Sequence, residues 1–360
     1  MRSVYLDYAG ATPDKTKIKL STFANPSAIF KDGLEAKKFI DDSREKIAKL
    51  INAHKDEIIF TGSGTESIAL ALNTKKQIIT TNIEHLAVLE NCNKVVLVEV
   101  EENGIVNPKK IREAITDKTE IVSVMYANNE IGTIQPIKEI AKEIRHYRKI
   151  NNTKYPLFHT DACQAINYLE IDNIERLGVD LMSFNSSKIY GPKGVGVLYK
   201  KRGVDLSPLY RGGGQEFKLR SGTENVTGII AVSQALEQVC SNKENESERL
   251  IKLRDYTIEK LEEFGCILNG DRKRRLPNNI NITIPGISSE LIVVELDALG
   301  IFVSEKSACS SRNEEVSHVL KAINRKEAIR ISMGQNTTKK DMNRLISAIK
   351  KVLEKYKDML

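Results

Sequence analysis

Short apolar runs alternate with helical patterns over the first two-thirds of the chain, and this alternation restricts the fold more than any other feature. The apolar runs, which we interpret as strands, lie at 57–60, 77–81, 95–100, 121–125, 157–158, 181–184 and 195–199. Apolar residues at helical spacing lie before the first of them, at 33–51, and between later ones, at 68–72, 108–115 and 136–149. Repeated strand–helix units predict an α/β fold with a mainly parallel sheet covered by helices.

The pattern changes after about residue 265, where shorter strands and helices follow two long helical patterns at 225–240 and 246–264. The strands are predicted at 279–284, 301–303 and 329–332, and the helices at 288–299, 314–323 and 338–357. We therefore expect a large α/β domain over 13–250 and a small α+β domain formed by 1–12 and 251–360. A chain of 360 residues is long enough for both.

Composition excludes several classes of protein. No apolar run approaches the roughly 20 residues that a membrane span needs, and the start MRSVYLDYAG lacks a signal-peptide core, so we expect a cytoplasmic protein without membrane contact. The five cysteines are scattered and form no CxxC pair, which argues against a disulfide framework and a zinc site. A net charge of +7 permits an acidic partner, but the basic cluster 272–275 is more typical of a solvated loop. We expect no direct nucleic-acid binding.

A glycine-rich turn joins the strand at 57–60 to the helix at 68–72. The turn reads Thr-Gly-Ser-Gly-Thr-Glu-Ser over 61–67. Backbone N–H groups at a helix start, together with the Thr65 and Ser67 hydroxyls, suit an anion such as a phosphate. An ordinary capped helix is the alternative.

Polar side chains gather where successive predicted strands end. They are His85, Asn129, Asp161 with Gln164, and Lys188. The carboxyl ends of parallel strands meet at one edge, where open α/β sheets hold their ligands, so these residues are expected in one crevice. Lys188 lies between two apolar runs and before the turn 191–194; a desolvated lysine there can form a Schiff base with a carbonyl. A surface hairpin with ordinary lysines is the alternative.

Four of the candidate residues suggest specific chemistry. Asp161, if buried, keeps a heterocyclic nitrogen protonated, as a pyridoxal phosphate (PLP) ring requires to act as an electron sink. His85 is expected to stack on such a ring and move protons, unless it is a satisfied loop histidine. Cys309 lies among small polar residues and is a candidate nucleophile, with a buried apolar thiol as the alternative. Arg330 suits a substrate carboxylate.

With these motifs the chain resembles, over essentially its full length, the NifS/IscS-type cysteine desulfurases, which are fold-type-I PLP enzymes of the class V aminotransferase group. The matching segments are 5–9 (YLDYA), 25–27 (NPS), 60–67 (FTGSGTES), 83–85 (IEH), 128–132 (NNEIG), 159–164 (HTDACQ), 188–194 (KIYGPKG), 211–216 (RGGGQE), 220–223 (RSGT) and 307–311 (SACSS). The fold implied is an aspartate aminotransferase-like PLP-dependent transferase.

The resemblance implies a role for each matching residue. Lys188 would hold PLP covalently, His85 would stack on its ring, Asp161 would pair with its nitrogen and Gln164 would bond its ring oxygen. The phosphate would be bound by Gly64, Thr65 and, across a homodimer interface, Thr223, and the substrate carboxylate by Asn129 and Arg330. Cys309 would take the sulfur of L-cysteine as a persulfide and release L-alanine, passing the sulfur to an iron–sulfur scaffold or to a tRNA-thiolation acceptor protein.

The chain also departs from the family pattern. Asn185 and Ser187 stand where the family usually has a serine and a histidine that bind phosphate. Both can still donate hydrogen bonds, so we expect weaker PLP retention rather than none. No resident metal is expected, and the alternative for Cys309 is that it also acts as a transient iron–sulfur ligand. The alternatives are another PLP lyase of the fold, such as a selenocysteine lyase, and a non-catalytic scaffold.

Overall fold

The computed structural model describes residues 3–20, 22–305 and 316–356. In this part of the chain the strands are β1 (Val4–Tyr5), β2 (Ile58–Thr61), β3 (Gln77–Thr81), β4 (Val95–Val98), β5 (Thr119–Ser123), β6 (Leu157–Asp161), β7 (Leu181–Asn185), β8 (Gly196–Lys200), β9 (Ile267–Leu268), β10 (Asn279–Thr283), β11 (Ile301–Phe302) and β12 (Ile329–Ser332). The helices are α1 (Lys31–Leu50), α2 (Gly64–Ala71), α3 (Leu86–Leu89), α4 (Pro108–Ala114), α5 (Ile137–Ile150), α6 (Ile174–Leu177), α7 (Val226–Glu262), α8 (Ser289–Ala298), α9 (His318–Ala322) and α10 (Lys339–Lys355).

A seven-stranded sheet in the order β2-β8-β7-β6-β5-β3-β4 forms the centre of the molecule. All neighbouring pairs from β7 to β4 are parallel, and β8 alone runs antiparallel to both of its neighbours. Strands β2 and β7 are almost entirely buried because helices cover both faces, as their continuous apolar sequences require. The expected α/β fold with a mainly parallel sheet is confirmed.

Helix periodicity explains how the covering helices attach. In α5 the buried residues are Ile137, Ile140, Ala141 and Ile144, which follow the i, i+3, i+4, i+7 spacing of one helix face. The polar residues of α5 occupy the other face. None of the helices in the described part of the chain has both the length and the apolar character that a bilayer crossing needs.

Two small sheets bring the ends of the chain together. Strand β1 pairs in parallel with β11, and β10 lies between β12 and β9 with antiparallel pairing on both sides. An isolated parallel bridge joins Asp7 to Ser332 at the end of β12. The N-terminal segment is therefore held by elements that come about 300 residues later in the sequence.

The structure corrects two expectations. The patterns at 225–240 and 246–264 belong to one continuous helix, α7, because the polar residues between them lie on a largely exposed stretch of that helix and do not break it. Arg275 is not solvated with its neighbours in the basic cluster: it is 3% exposed. Its guanidinium donates to the Asp271 carbonyl at 2.9 Å and to Asn279 Oδ1 at 3.2 Å, which satisfies a buried cation.

A buried ion pair fixes the glycine-rich segment 211–223 to the sheet. The Arg44 guanidinium on α1 donates to both carboxylate oxygens of Glu216, at 2.8 and 2.6 Å, and Phe60 N on β2 donates to the same carboxylate at 2.8 Å. Glu216, Phe217 and Lys218 all have left-handed backbones, with φ of 46°, 58° and 66°. Three successive non-glycine residues in this region cost energy, so the pair must hold them there.

We expect Glu216→Ala to lower the free energy of unfolding by about 3 kcal/mol, because the Arg44 cation is then buried without its partner. The double variant Arg44→Met/Glu216→Ala should be less destabilised than Glu216→Ala alone, since no buried charge is left unpaired. Urea unfolding followed by circular dichroism measures both values. Equal losses in the single and double variants would show that the pair does not hold this segment.

Candidate active site

The start of helix α2 forms the anion-binding side of the site. Ser63 Oγ accepts from Glu66 N at 3.1 Å, and the Glu66 carboxylate accepts from Gly62 N at 2.7 Å and from Arg220 Nε at 2.9 Å. Gly64 and Thr65, the first residues of the helix, line a cleft. Backbone N–H groups at a helix start favour an anionic group there.

Glycine is required at position 64 by a close approach. A Cβ on Gly64 would lie 2.8 Å from Asn185 Nδ2 and 3.1 Å from Cys163 Sγ. The Asn185 amide therefore faces the helix start, while its Oδ1 accepts from Ser187 Oγ at 3.3 Å. Asn185 thus supplies an N–H donor beside the anion site, whereas Ser187 acts on Asn185.

Lys188 lies in the short 3-10 turn Ser186–Lys188, directly after β7. Its Nζ donates to the backbone oxygens of Ala9 at 2.8 Å and Gly10 at 2.5 Å. The Gln164 amide also donates to Ala9 O, at 3.1 Å. The amine is therefore held at the mouth of the cleft by the N-terminal segment.

Asp161 ends β6 and is 7% exposed. Its Oδ1 accepts from Cys163 N at 2.9 Å, which fixes the carboxylate in the cleft. Burial, followed by the nearby Asp161 charge, raises the pKa of the Cys163 thiol well above its usual range. Cys163 is therefore a neutral thiol lining the cleft and not a nucleophile.

His85 caps helix α3, and this contact defines its tautomer. Its Nδ1 accepts from Ala87 N at 3.0 Å, so the proton of the neutral ring is on Nε2. Burial, with a smaller effect of the Lys188 charge, lowers the pKa of His85, although Asp161 opposes this. At neutral pH His85 is an uncharged ring that can donate from Nε2.

Arg330 is 2% exposed and has two protein partners. Its Nη2 donates to Asp7 Oδ1 at 2.7 Å and its Nη1 to the Asn129 backbone oxygen at 3.1 Å. Its buried Nε has no hydrogen-bond partner among the described residues. Such a donor is costly to leave unpaired, so a ligand acceptor is expected there.

Most of the predicted site residues come together in one cleft. Its lining includes Gly64, Thr65, His85, Asn129, Asp161, Gln164, Asn185, Lys188 and Arg330. Ser187 and Thr223 are outside this lining, and Thr223 is exposed. Cys309 lies outside the described residues.

Sequence reasoning assigned no role to two groups that contact the site. The segment Asp7–Gly10 contacts Lys188, Gln164 and Arg330, and the only sequence signal for it was the motif at 5–9. Ser317 and His318, at the start of α9, bind the residues next to Asn129 and His85. Ser317 Oγ donates to Glu130 at 2.6 Å, and His318 Nε2 donates to the Glu84 backbone oxygen at 2.8 Å.

Glu84, beside His85, is a fully buried acid. Its Oε1 accepts from Thr81 Oγ1 at 2.8 Å and from Met125 N at 2.9 Å. Burial raises the pKa of this carboxyl to about 8, and the Asp161 charge adds to the effect. At neutral pH the Glu84 side chain is protonated in the folded protein.

This raised pKa predicts how stability varies with pH. Between pH 4.5, the ordinary value for Glu84, and about 8, the unfolded chain loses the Glu84 proton and the folded chain keeps it. The free energy of unfolding should therefore fall by up to ~1.4 kcal/mol per pH unit across this window. Glu84→Gln should remove that slope, measured by urea unfolding at several pH values. The exposed Glu113→Gln is the matched control, and a Glu84→Gln slope equal to that of the control and wild type would contradict the assignment.

The chain is similar to known proteins over almost its full length. Residues 4–345 match the family model described as aminotransferase class-V. The cysteine desulfurase IscS of Dictyoglomus turgidum is 43% identical over 385 residues, covering 99% of this chain and 96% of the relative. The cysteine desulfurase IscS of Methanosarcina thermophila is 40% identical over 389 residues, covering 99% and 94%.

Two solved structures are similar to this chain over almost its full length. A NifS-like protein superposes with a TM-score of 0.89 at 32% identity, covering 98% of this chain and 100% of the other. SspA, solved in complex with cysteine, superposes with a TM-score of 0.79 at 29% identity, covering 92% and 99%. The fold is thus shared with proteins of known structure.

Proposed function

Because the chain belongs to the class-V aminotransferase family, and within it to the NifS/IscS-type cysteine desulfurases, we propose that it is a PLP-dependent cysteine desulfurase. It converts L-cysteine to L-alanine and carries the sulfur as a persulfide on Cys309. The observation that carries this proposal is the convergence of Lys188, Asp161 and Arg330 on one cleft. A relative that is 43% identical over almost the whole chain bears the same activity in its name.

The residues of the cleft fit PLP. The start of α2, where a Cβ on Gly64 would collide with Asn185, leaves room for an anionic group close to the backbone. Asp161 has one oxygen bound to Cys163 N and can accept from a ring nitrogen with the other. Lys188 supplies a primary amine at the same cleft. We assign Thr65, Asn185 and Ser187 to the phosphate side and Gln164 to the ring oxygen.

PLP, when bound, supplies an electron sink for charge that develops on the substrate carbon. Asp161 holds the proton on the ring nitrogen that this chemistry needs. His85 lies at the cleft as a neutral ring and can donate a proton from Nε2. The Lys188 amine, held by the Ala9 and Gly10 oxygens, moves protons to and from the substrate carbon.

Arg330 binds the substrate carboxylate through the guanidinium donors that Asp7 and the Asn129 carbonyl leave over, together with the Asn129 side chain. The Cys309 thiolate attacks the substrate sulfur. The new S–S bond forms as the C–S bond breaks, the electron pair stays on carbon, and that carbon takes a proton to give alanine. L-cysteine and the Cys309 thiol thus become L-alanine and a persulfide, and no outside oxidant is required.

We propose that the persulfide sulfur passes to an iron–sulfur cluster scaffold or to a tRNA-thiolation protein. We assign 13–250 to the large domain and 1–12 with 251–360 to the small one. A cytoplasmic location is supported by Cys92, Cys163, Cys240 and Cys266, which are free thiols in the described part of the chain and suit a reducing compartment.

A homodimer would complete the phosphate site with Thr223 of the second subunit. Thr223 is exposed and outside the cleft of its own chain. Large apolar side chains are exposed around 23–34, with Phe23 102% and Ile29 91% exposed. Several exposed large apolar side chains within one short segment are typical of a protein interface.

We expect Phe23→Asp to shift the protein from dimer to monomer, because it places a charge in the apolar interface. PLP affinity should fall in parallel, since Thr223 then no longer reaches the phosphate. Light scattering coupled to size-exclusion chromatography measures the mass, and a PLP absorbance titration measures affinity. Val294→Asp, at an exposed apolar position on α8, is the control. A Phe23→Asp variant that keeps the wild-type mass would contradict this interface.

Cys309→Ala tests the proposed activity directly. Alanine and sulfide release from L-cysteine under reductant should fall by about three orders of magnitude or more, because the sulfur has no acceptor. The visible absorbance band of bound PLP should remain, whereas Lys188→Ala should lose it. Cys240→Ala, which changes a partly buried thiol in the lining of a different cavity, is the matched control.

The outcomes separate the alternatives. Alanine release by Cys309→Ala at the wild-type rate would exclude Cys309 as the sulfur acceptor and favour another lyase, which selenocysteine as substrate would identify. A wild-type protein with no PLP band after incubation with PLP would favour a non-catalytic scaffold.

A further inference from the structure

The N-terminal segment 7–10 contacts three residues of the cleft that lie on three separate elements. Its Ala9 and Gly10 carbonyls accept from Lys188, its Ala9 carbonyl also accepts from Gln164, and its Asp7 carboxylate accepts from Arg330. Asp7 is the one residue of this segment that acts on the cleft through its side chain in these contacts. Its effect on Arg330 goes beyond the roles assigned so far.

Asp7 is held in place before it meets Arg330. Its backbone oxygen accepts from Gly10 N at 3.0 Å, from Ala11 N at 3.2 Å and from the Tyr5 hydroxyl at 2.9 Å. The bridge between Asp7 and Ser332 fixes it to the strand that carries Arg330. A Cβ on Gly10 would collide with the Asp7 carboxylate, so glycine at position 10 leaves room for it.

The three guanidinium nitrogens of Arg330 differ in their hydrogen-bond partners. Nη2 is bound to Asp7 at 2.7 Å, Nη1 to the Asn129 carbonyl at 3.1 Å, and Nε is buried without a partner in the described structure. Two anchors define the plane of a guanidinium, because its donors form a rigid fork. The same two anchors leave the Nε–H and the second N–H of each Nη nitrogen as the remaining donors of the guanidinium.

We propose that Asp7 is the positioning residue for Arg330: it holds the guanidinium plane so that the remaining guanidinium donors receive the substrate carboxylate. The proposal rests on the proposed function, in which Arg330 binds that carboxylate. Asp7 also neutralises a cation that is 2% exposed, so the site is stable when no substrate is bound. Asp7 thus contributes to recognition of the carboxylate without contacting the reacting atoms.

A ligand without a carboxylate distinguishes this role from a general structural one. L-alanine carries the carboxylate, whereas cysteamine has the amine and thiol of cysteine but no carboxylate. If Asp7 acts through Arg330, the loss of Asp7 weakens the binding of L-alanine and leaves the binding of cysteamine unchanged. If the loss of Asp7 instead shifts the Ala9 and Gly10 carbonyls and so displaces Lys188, the binding of both ligands weakens.

The experiment measures dissociation constants of L-alanine and cysteamine for the PLP-loaded protein, from the change in the visible absorbance of PLP, and KM and kcat for L-cysteine. For Asp7→Ala we expect the dissociation constant of L-alanine and the KM for L-cysteine to rise about tenfold. This is the loss of affinity expected when a charge-assisted hydrogen bond is displaced. The cysteamine constant should not change, and kcat should stay within about threefold of wild type. Asp7→Asn keeps an acceptor oxygen, so it should raise both constants by less. The same measurements on Asp7→Asn test the proposal if Asp7→Ala does not fold.

Asp14→Ala is the matched control, because Asp14 lies in the same N-terminal segment and bonds locally to Thr16. Equal weakening of L-alanine and cysteamine, or no change in L-alanine binding, would overturn the proposal. The binding comparison requires no turnover, so it decides the role of Asp7 even if the wild type releases no sulfide. A wild-type protein that releases no sulfide would reject the proposed function and leave the role of Asp7 to the binding measurements.

Discussion

The hydrogen bonds from Lys188 Nζ to the Ala9 and Gly10 carbonyls are the contact on which the organisation of the cleft depends. They join residues about 179 positions apart and connect the N-terminal segment to the end of β7. That segment is itself held by β11 and β12, near the other end of the chain. The cleft is therefore complete only when the beginning, middle and end of the chain have folded together.

Much of the fold could be predicted because its signals are local. Strands buried on both faces need continuous apolar runs, and helices on the sheet need apolar residues at a spacing of three or four. The convergence of His85, Asn129, Asp161 and Lys188 follows from the parallel arrangement, which places the carboxyl ends of these strands at one edge. For these residues, knowing the order of elements was almost enough to place the side chains.

The remaining features leave weak signals in a single sequence. A carbonyl that holds a lysine has no side-chain signature, so the contacts of Ala9 and Gly10 with Lys188 could not be predicted. Burial of Arg275 depends on carbonyls and amides from distant segments, whereas its neighbours in sequence suggested solvent. The continuity of α7 depends on the absence of a helix breaker within a polar stretch, which hydrophobic periodicity does not detect.

The left-handed backbone at Glu216–Lys218 has a consequence for how the glycine-rich segment can bind. Glycines at 212–214 would let this segment sample many conformations, and a ligand or second subunit would then have to select one at a cost in entropy. The ion pair between Glu216 and Arg44 fixes the chain directly after those glycines. The segment has thus lost part of its conformational freedom during folding, and less ordering opposes the arrival of a binding partner.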